Sequence, residues 1–313
     1  MVTILVPIYN AGPYLRECVA SLTGQTYSDL QIVLINDGST DDSWTIMQEL
    51  ASQDKRIEIY SQSNSGVAAT RNRLLDKVRG DFVLFVDSDD WIELNTVETL
   101  LHEQETEDYD IVYFQKVGVK GKNRVYSQET LIHQFLEHKG YSGMLWNKFF
   151  KSEKIRPFRI DESVSYGEDA LFVWQVLQTV PKVKEIGAGL YHYRPNVNSI
   201  SCQKFTGSKC TSYYAWSKIC RDTDEFWPQY SEIAHARFAC EMTVILMYAI
   251  VDGYNDKEKI RLLQEEVRRD RYLIKKTGVS SGKMSVFSWF IAHCYGLVSL
   301  FKSALRRYLD SIR

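Results

Sequence analysis

The sequence predicts an α/β protein, a mostly parallel sheet with flanking helices, followed by a helical C-terminal region. Three observations carry this. Short β-rich runs alternate with helical stretches through the first half, the rhythm of βαβ crossovers. The run Gln31-Ile32-Val33-Leu34-Ile35 is continuous rather than alternating, as expected for a strand covered on both faces. From about Thr211 onward, helical stretches are separated by polar turns such as Asp252-Gly253-Tyr254-Asn255-Asp256.

Taken in order, strands are expected at Val2–Val6, Gln31–Ile35, Ile57–Tyr60, Asp81–Val86 and Asp110–Phe114. Helices are expected near Tyr14–Leu22, Asp42–Ser52, Gly66–Val78 and Leu94–Glu105. Around Trp146–Phe150 and Ser165–Thr179 the pattern becomes loop then helix, with β-like segments ending in Tyr191-His192-Tyr193-Arg194. A soft boundary near Phe205–Ser208 gives a domain over 1–205 and a helical region over 206–313. No internal repeat and no low-complexity tract interrupts the chain.

With 313 residues, 44% hydrophobic and 25% charged, the chain is core-forming rather than disordered. Its 38 basic and 40 acidic side chains leave a formal charge of -2, which gives no reason to expect nucleic acid as a partner. The six cysteines, Cys18, Cys202, Cys210, Cys220, Cys240 and Cys294, form no CxxC pair and are expected as free, mostly buried thiols. Met1 runs straight into strand-like sequence without an apolar leader, so a cytoplasmic location is the expectation.

Open parallel sheets bind ligands beyond the carboxyl ends of their strands. Polar, turn-forming sequence stands at four such ends: Pro7-Ile8-Tyr9-Asn10, Asn36-Asp37-Gly38-Ser39-Thr40-Asp41, Ser63-Asn64-Ser65-Gly66 and Asp87-Ser88-Asp89-Asp90. The last is the strongest signal. The apolar strand Phe82–Val86 delivers two carboxylates, two residues apart, and aspartates are hard oxygen ligands suited to Mg²⁺ or Mn²⁺. The plain alternative is a solvated turn whose Ser88 and Asp90 cap the next helix. Asp37, directly after a buried strand, can accept from a base imide or a ribose, or can belong to an N-cap cluster.

These strings, with Gly66-Val67-Ala68-Ala69-Thr70-Arg71-Asn72 and Phe85-Val86-Asp87-Ser88-Asp89-Asp90-Trp91, resemble family 2 glycosyltransferases of the bacterial surface-glycan type, in order and approximate spacing. Trp146-Asn147-Lys148, Gly167-Glu168-Asp169 and Tyr193-Arg194 followed by Ser199-Ile200-Ser201 extend the resemblance over about the first 200 residues. It implies a Rossmann-like GT-A fold, a nucleotide-sugar donor and inversion at the anomeric carbon. It also implies that Tyr9 stacks near the base, that Asp37 bonds to it, and that Pro7, Ser88 and Arg71 contact the nucleotide sugar. Asp87 would reach the ribose or metal-bound phosphate, and Asp89 would be the principal ligand of Mn²⁺ or Mg²⁺. Asp169 matches the catalytic base, with Glu168 beside it.

Chemistry bears on that base independently. An inverting transfer needs one carboxylate to take the acceptor hydroxyl proton, and a helix N-terminus keeps such a carboxylate ionised. First-turn acids on an ordinary helix are the plain alternative. Asn36, Thr70 and Leu74 depart from the family pattern and bear on the contact from Arg71. His192 is a candidate third metal ligand or a structural histidine between two tyrosines. Trp146 and Arg194 are candidate acceptor or diphosphate contacts, with core packing the alternative for Trp146.

Residues 284–301 carry no formal charge, and Lys302, Arg306, Arg307 and Arg313 follow. An interfacial helix at 284–313, peripheral on the inner face of the cell membrane, and a helix packed on the protein or on a second subunit both suit this composition. The expected activity is transfer from a UDP-sugar to a polysaccharide, glycolipid or lipid-linked acceptor. Nucleotidyl transfer and an inactive saccharide-binding scaffold are the competing readings. No Gly-rich phosphate loop follows the first strand, and Asp87, Asp89 and Asp169 are all retained, which weighs against each in turn.

Overall fold

The structure is a computed structural model that describes residues 1–138, 140–195 and 204–312. The chain forms two compact units. The first comprises Met1–Leu131, Gly143–Glu162 and Phe172–Val197, and the second Ile132–Ser142, Ser163–Leu171 and Asn198–Arg313. The helical unit thus takes in two segments of the expected 1–205 domain, besides the stretch expected to begin at 206. Ser199-Ile200-Ser201 and Cys202 lie outside the described residues.

The first unit is built on a nine-stranded sheet. Its strands are β1 (Val2–Ile8), β2 (Leu30–Asp37), β3 (Ile57–Gln62), β4 (Phe82–Phe85), β5 (Trp91–Ile92), β6 (Ile111–Lys116), β7 (Arg124–Ser127), β8 (Lys148–Lys151) and β9 (Lys182–His192). The order is β3-β2-β1-β4-β8-β6-β9-β5, with β7 paired to β9. The first four strands are parallel, and the registers Ile8↔Asn36 and Leu5↔Phe85 bring their carboxyl ends to one edge. β8 then runs antiparallel to β4 and β6. All eight residues of β2 are buried, so the continuous apolar run does mark a doubly covered strand.

Helices α1 (Gly12–Thr23), α2 (Ser43–Gln53), α3 (Val67–Leu75) and α4 (Thr96–Thr106) follow the first strands, each within a few residues of expectation. Gly66, at φ 87°, takes the left-handed turn that opens α3, a conformation a side chain would strain. Leu15, Val19 and Leu22 of α1 and Ile46 and Met47 of α2 join Ile4, Val6, Ile32 and Leu34 in one core.

Three further helices are α5 (Gln128–Glu137), α6 (Ser152–Ile155) and α7 (Glu168–Leu177). The second unit adds α8 (Ser212–Phe226), α9 (Ser231–Asp252), α10 (Lys257–Thr277), α11 (Gly282–Val298) and α12 (Lys302–Ile312). The stretch Pro228–Asp252 is long and apolar enough to cross a membrane, yet 67% of its most apolar window is buried and α9 is the core helix of this unit. Asp256 accepts from the Lys259 N–H to start α10, and Gly253 and Gly278 end α9 and α10 in the left-handed region. Cys18, Cys210, Cys220 and Cys240 are free and buried, and Cys294 is free and half-buried.

Candidate functional site

The site begins with how the loops after β1 and β2 are tied together. Asn10 sits at φ 51°, its N–H donates to Ser39 Oγ at 3.0 Å, and its Oδ1 accepts the Thr40 N–H at 2.8 Å. Asp41 accepts the N–H groups of Gly12 and Ser43 at 2.9 and 3.0 Å. Burial works against its charge, but the hydrogen bonds from Ser43 and Gly12 outweigh that and hold its carboxyl below the ordinary range. Pro7 is half-buried at the end of β1, and Tyr9 just beyond it is 51% exposed, an open ring at the strand edge.

Asp37 is buried at the end of β2. Its Oδ1 accepts from Gln62 Nε2 and the Ser65 N–H, each at 2.8 Å, and its Oδ2 from the Gly66 N–H at 2.9 Å. Three donors leave about one of the four lone-pair sites of the carboxylate for anything else. Asp37 therefore orders the Ser63–Gly66 loop, a task the sequence did not announce. Thr70 is buried and joins the same network through Gln62, which explains a hydroxyl where the family pattern has a small residue. Asn72 of α3 donates to Ile160 O at 2.9 Å and accepts the Ile160 N–H at 2.8 Å, pairing as a second peptide group would.

The acidic turn follows β4. Asp87, Ser88 and Asp89 are half-buried, and the Asp90 N–H closes the turn on Asp87 O at 3.1 Å. Asp90 is not a helix cap. β5 comes next, α4 starts only at Thr96, and the Asp90 side chain is 2% exposed. Its Oδ1 accepts the Arg194 N–H at 2.7 Å and its Oδ2 the Tyr191 hydroxyl at 2.8 Å. The Tyr191 oxygen in turn accepts the Asp87 N–H at 3.1 Å. Burial, with the Asp87 and Asp90 carboxylates nearby, pushes the Tyr191 phenol well above its ordinary value and keeps the proton that Asp90 receives. Burial also pushes Asp90 up to about 7; the hydrogen bonds from Arg194 and Tyr191 offset part of this, and the charges of Asp87 and Asp89 add to it.

Around this turn stand Arg71, with Nη2 3.5 Å from Asp87 Oδ1, and Arg194. Arg194 donates through Nε to the Asp89 carbonyl oxygen at 2.9 Å, pairs with Glu17, and lies over the rings of Trp91 and Tyr14. The structure thus brings Arg71, Asp87, Ser88, Asp89 and Arg194 together. Of these, Arg194 braces the turn through its backbone as well as offering charge.

Two expectations need correction. His192 does not join the acidic turn. Consecutive strand residues point to opposite faces, so with Tyr191 turned to Asp87 and Asp90, His192 faces away. It stacks on Trp91 at 4.7 Å, and its Nε2 meets Glu93 Oε1 at 2.6 Å. Trp146 offers no open face to a sugar. It is 8% exposed and stacks on Tyr191 at 4.5 Å, supporting the turn from within the core.

Glu168 and Asp169 open α7 and belong to the helical unit. Glu168 is buried and Asp169 half-buried, and Asp169 Oδ1 accepts the Ala170 N–H at 2.7 Å. Gly167, at φ 88°, makes the turn into the helix, and its carbonyl accepts the Leu171 N–H. Both acids thus sit at the positive end of a helix dipole, as the sequence led one to expect.

Strand-end carboxylates on a mostly parallel sheet, with an arginine beside them, define an α/β protein whose polar edge lies at the carboxyl ends of its strands. The chain belongs to glycosyl transferase family 2, whose family model matches residues 3–177. It is 34% identical over 218 residues to the Streptococcus pneumoniae glycosyltransferase GlyA, covering 64% of this chain and 31% of that one. It is 31% identical over 217 residues to the uncharacterized Bacillus subtilis glycosyltransferase EpsJ, covering 64% and 63%. The matched part therefore spans about a third to just under two thirds of those relatives' lengths. In solved structures the fold recurs in Staphylococcus aureus TarS 1-349 in complex with UDP-GlcNAc. The TM-score is 0.71 at 17% identity, over 99% of this chain and 92% of that one. A mannosyltransferase from Pyrobaculum calidifontis, in complex with GDP-Man and Mn²⁺, aligns with TM-score 0.58 at 15% identity, over 93% and 85%. The fold is GT-A, with a helical C-terminal region.

Proposed function

We propose that this chain transfers a sugar from a nucleotide diphosphate donor, with a UDP-sugar the leading candidate, to a saccharide or lipid-linked acceptor in surface-glycan synthesis. The reading places it in the cytoplasm. The observation that carries it is the Asp87–Asp90 turn, in which a buried acid, Tyr191 and Arg194 hold Asp87 and Asp89 at the sheet edge beside Arg71. The complexes of TarS with UDP-GlcNAc and of the mannosyltransferase with GDP-Man and Mn²⁺ support a nucleotide-sugar donor.

The donor set fits a divalent ion. Asp89 and Asp87 offer hard oxygen ligands from one turn, and three aspartates within four residues concentrate the negative charge that a cation would offset. Bound there, Mn²⁺ or Mg²⁺ would supply charge neutralisation to a departing diphosphate. Tyr9 would cover the base, while Asp37, by ordering the Ser63–Gly66 loop, would shape the pocket wall. Asp169 would accept the acceptor's hydroxyl proton as that oxygen bonds to the anomeric carbon. The bond from that carbon to the diphosphate oxygen breaks, its electron pair leaves with the nucleotide, and the configuration inverts.

A panel of nucleotide sugars with Mn²⁺, read by thermal stabilisation and nucleotide release, tests this. One donor should stabilise the protein and be turned over, chelation should remove both effects, and Asp169→Asn should bind the donor while transfer falls by about 10²–10⁴-fold. Binding without turnover across acceptors would favour a non-catalytic scaffold. No binding by any nucleotide sugar would sink the proposal.

A further inference from the structure

The helical unit carries an apolar face that its own packing leaves outward. On α11 the inner residues Met284, Ser288, Ile291 and Ala292 are buried, at the spacing of one helical stripe. The helix breaks at Cys294, whose φ/ψ of -129°/34° is not helical. At such a break the preceding carbonyls lose their partners along the helix. Here α10 supplies them: Gln264 Nε2 donates to Ile291 O at 2.9 Å and Arg268 Nε to Ala292 O at 2.7 Å. These bonds fix the rotation of α11 about its axis and hold the opposite stripe outward.

That stripe consists of Val286, Trp289 and Phe290; beyond the break at Cys294, Leu300 and Phe301 are exposed as well, the five at 42% to 76%. Trp289 meets Phe290 edge-on at 5.0 Å and stacks on His293 at 5.2 Å. A groove of about 590 Å³, lined by Val286, Phe287, Tyr308 and Lys283, opens beside it. Exposed aromatic side chains grouped in this way mark a contact surface. From Lys283 to Arg313 the chain holds five basic residues and one acidic one, Asp310. Arg306 is paired with Asp252 at 2.8 Å, whereas among the described residues Lys283, Lys302 and Arg307 have no carboxylate at ion-pair distance.

We propose that this face docks on an anionic lipid bilayer, with Trp289, Phe290, Leu300 and Phe301 in the boundary between headgroups and acyl chains and Lys283, Lys302 and Arg307 against the headgroup phosphates. Aromatic side chains with a basic flank favour that boundary, and each basic residue adds attraction that salt screens. A second copy of the chain is the poorer occupant. A two-fold interface would set the same basic segment of each copy against the other, with Asp310 the one acid in it to answer.

Flotation of the full chain, without donor or acceptor, on phosphatidylcholine vesicles with and without phosphatidylglycerol tests the idea independently of the proposed activity. Binding should require the anionic lipid and weaken by about tenfold or more on raising the salt. Trp289→Ser with Phe290→Ser should abolish it, and Lys302→Glu with Arg307→Glu should remove the preference for anionic lipid. Both double variants should keep the helical circular dichroism and thermal transition of the parent. Vesicle binding that is absent from the parent, or unchanged in the Trp289/Phe290 variant, overturns the proposal. So does a dimer that the same variant dissociates in the absence of any vesicle binding, since the face would then join two copies.

Discussion

The carboxylates of the acidic turn and those around His235 meet the protein's own cations in different ways. In the helical unit His235 bonds through Nδ1 to Asp270 at 3.0 Å and through Nε2 to Asp224 at 3.1 Å, while Arg269 pairs with Asp270 and Glu266. The ligand atoms of His235, Glu266 and Asp270 lie within 4.8 Å of one another. Yet both imidazole nitrogens and the guanidinium are already committed to those carboxylates. The Asp270 bond, working against burial and aided by Asp224, raises the His235 imidazolium to about 9. Burial lifts Glu266 to about 7. In the sheet unit, by contrast, Arg194 spends its guanidinium on Glu17 and a backbone carbonyl, and Arg71 stands 3.5 Å from Asp87. Proximity of carboxylates does not make a metal site; what matters is whether the protein's own cations answer them.

The sharpest way to break this contrast is to add Mn²⁺. Asp89→Ala should abolish the thermal response to Mn²⁺ with nucleotide and lower transfer by about 10²–10³-fold or more, whereas His235→Gln should respond as the parent does. If His235→Gln lost the response and Asp89→Ala kept it, the assignments would be reversed.

The second test concerns the compensated cluster alone. Loss of the imidazolium leaves Asp270 and Asp224 without their shared partner, so His235→Gln should cost about 3 kcal/mol near neutral pH in urea unfolding. A folded value above the unfolded one means that this stability is fully present below the ordinary imidazole value and is lost as pH rises through about 9. The gap between parent and variant should therefore be widest at mildly acidic pH and close above 9. A gap that widens with pH would contradict a charged His235.

The smallest effect is expected from Tyr191→Phe. It removes the hydroxyl between the Asp87 N–H and Asp90 but keeps the ring against Trp146. Taking this partner from the Asp87 N–H and from one Asp90 oxygen should weaken donor binding by roughly tenfold, about 1.4 kcal/mol, with the fold retained. An unchanged affinity by calorimetry would mean that Asp90 and Arg194 suffice to hold the turn.

The parallel half of the fold was legible because its signals are local. Strand runs, helix starts and turn residues each fall within a few positions, and β1 to β4 appeared close to where they were expected. The acidic turn was legible for the same reason. Its support was not. Asp90 meets Tyr191 and Arg194 across about a hundred residues; Arg194 stood out only as a candidate acceptor or diphosphate contact, and nothing marked Tyr191 as a partner of the turn. Asn72 left a faint trace, since an asparagine inside a helix is expected to bond elsewhere. The joining of segments 132–142 and 163–171 to the helical unit was likewise invisible, because it is decided by packing between residues distant in the chain.

The stitching of Asn10 to Ser39 and Thr40, of Asp41 to Gly12 and of Asp37 to Ser65 and Gly66 has a kinetic consequence. Loops bound to one another before any ligand arrives have little left to order when one does. Nucleotide capture should then proceed in one phase, its rate set by diffusion and the charge at the sheet edge, with no slower rearrangement following it.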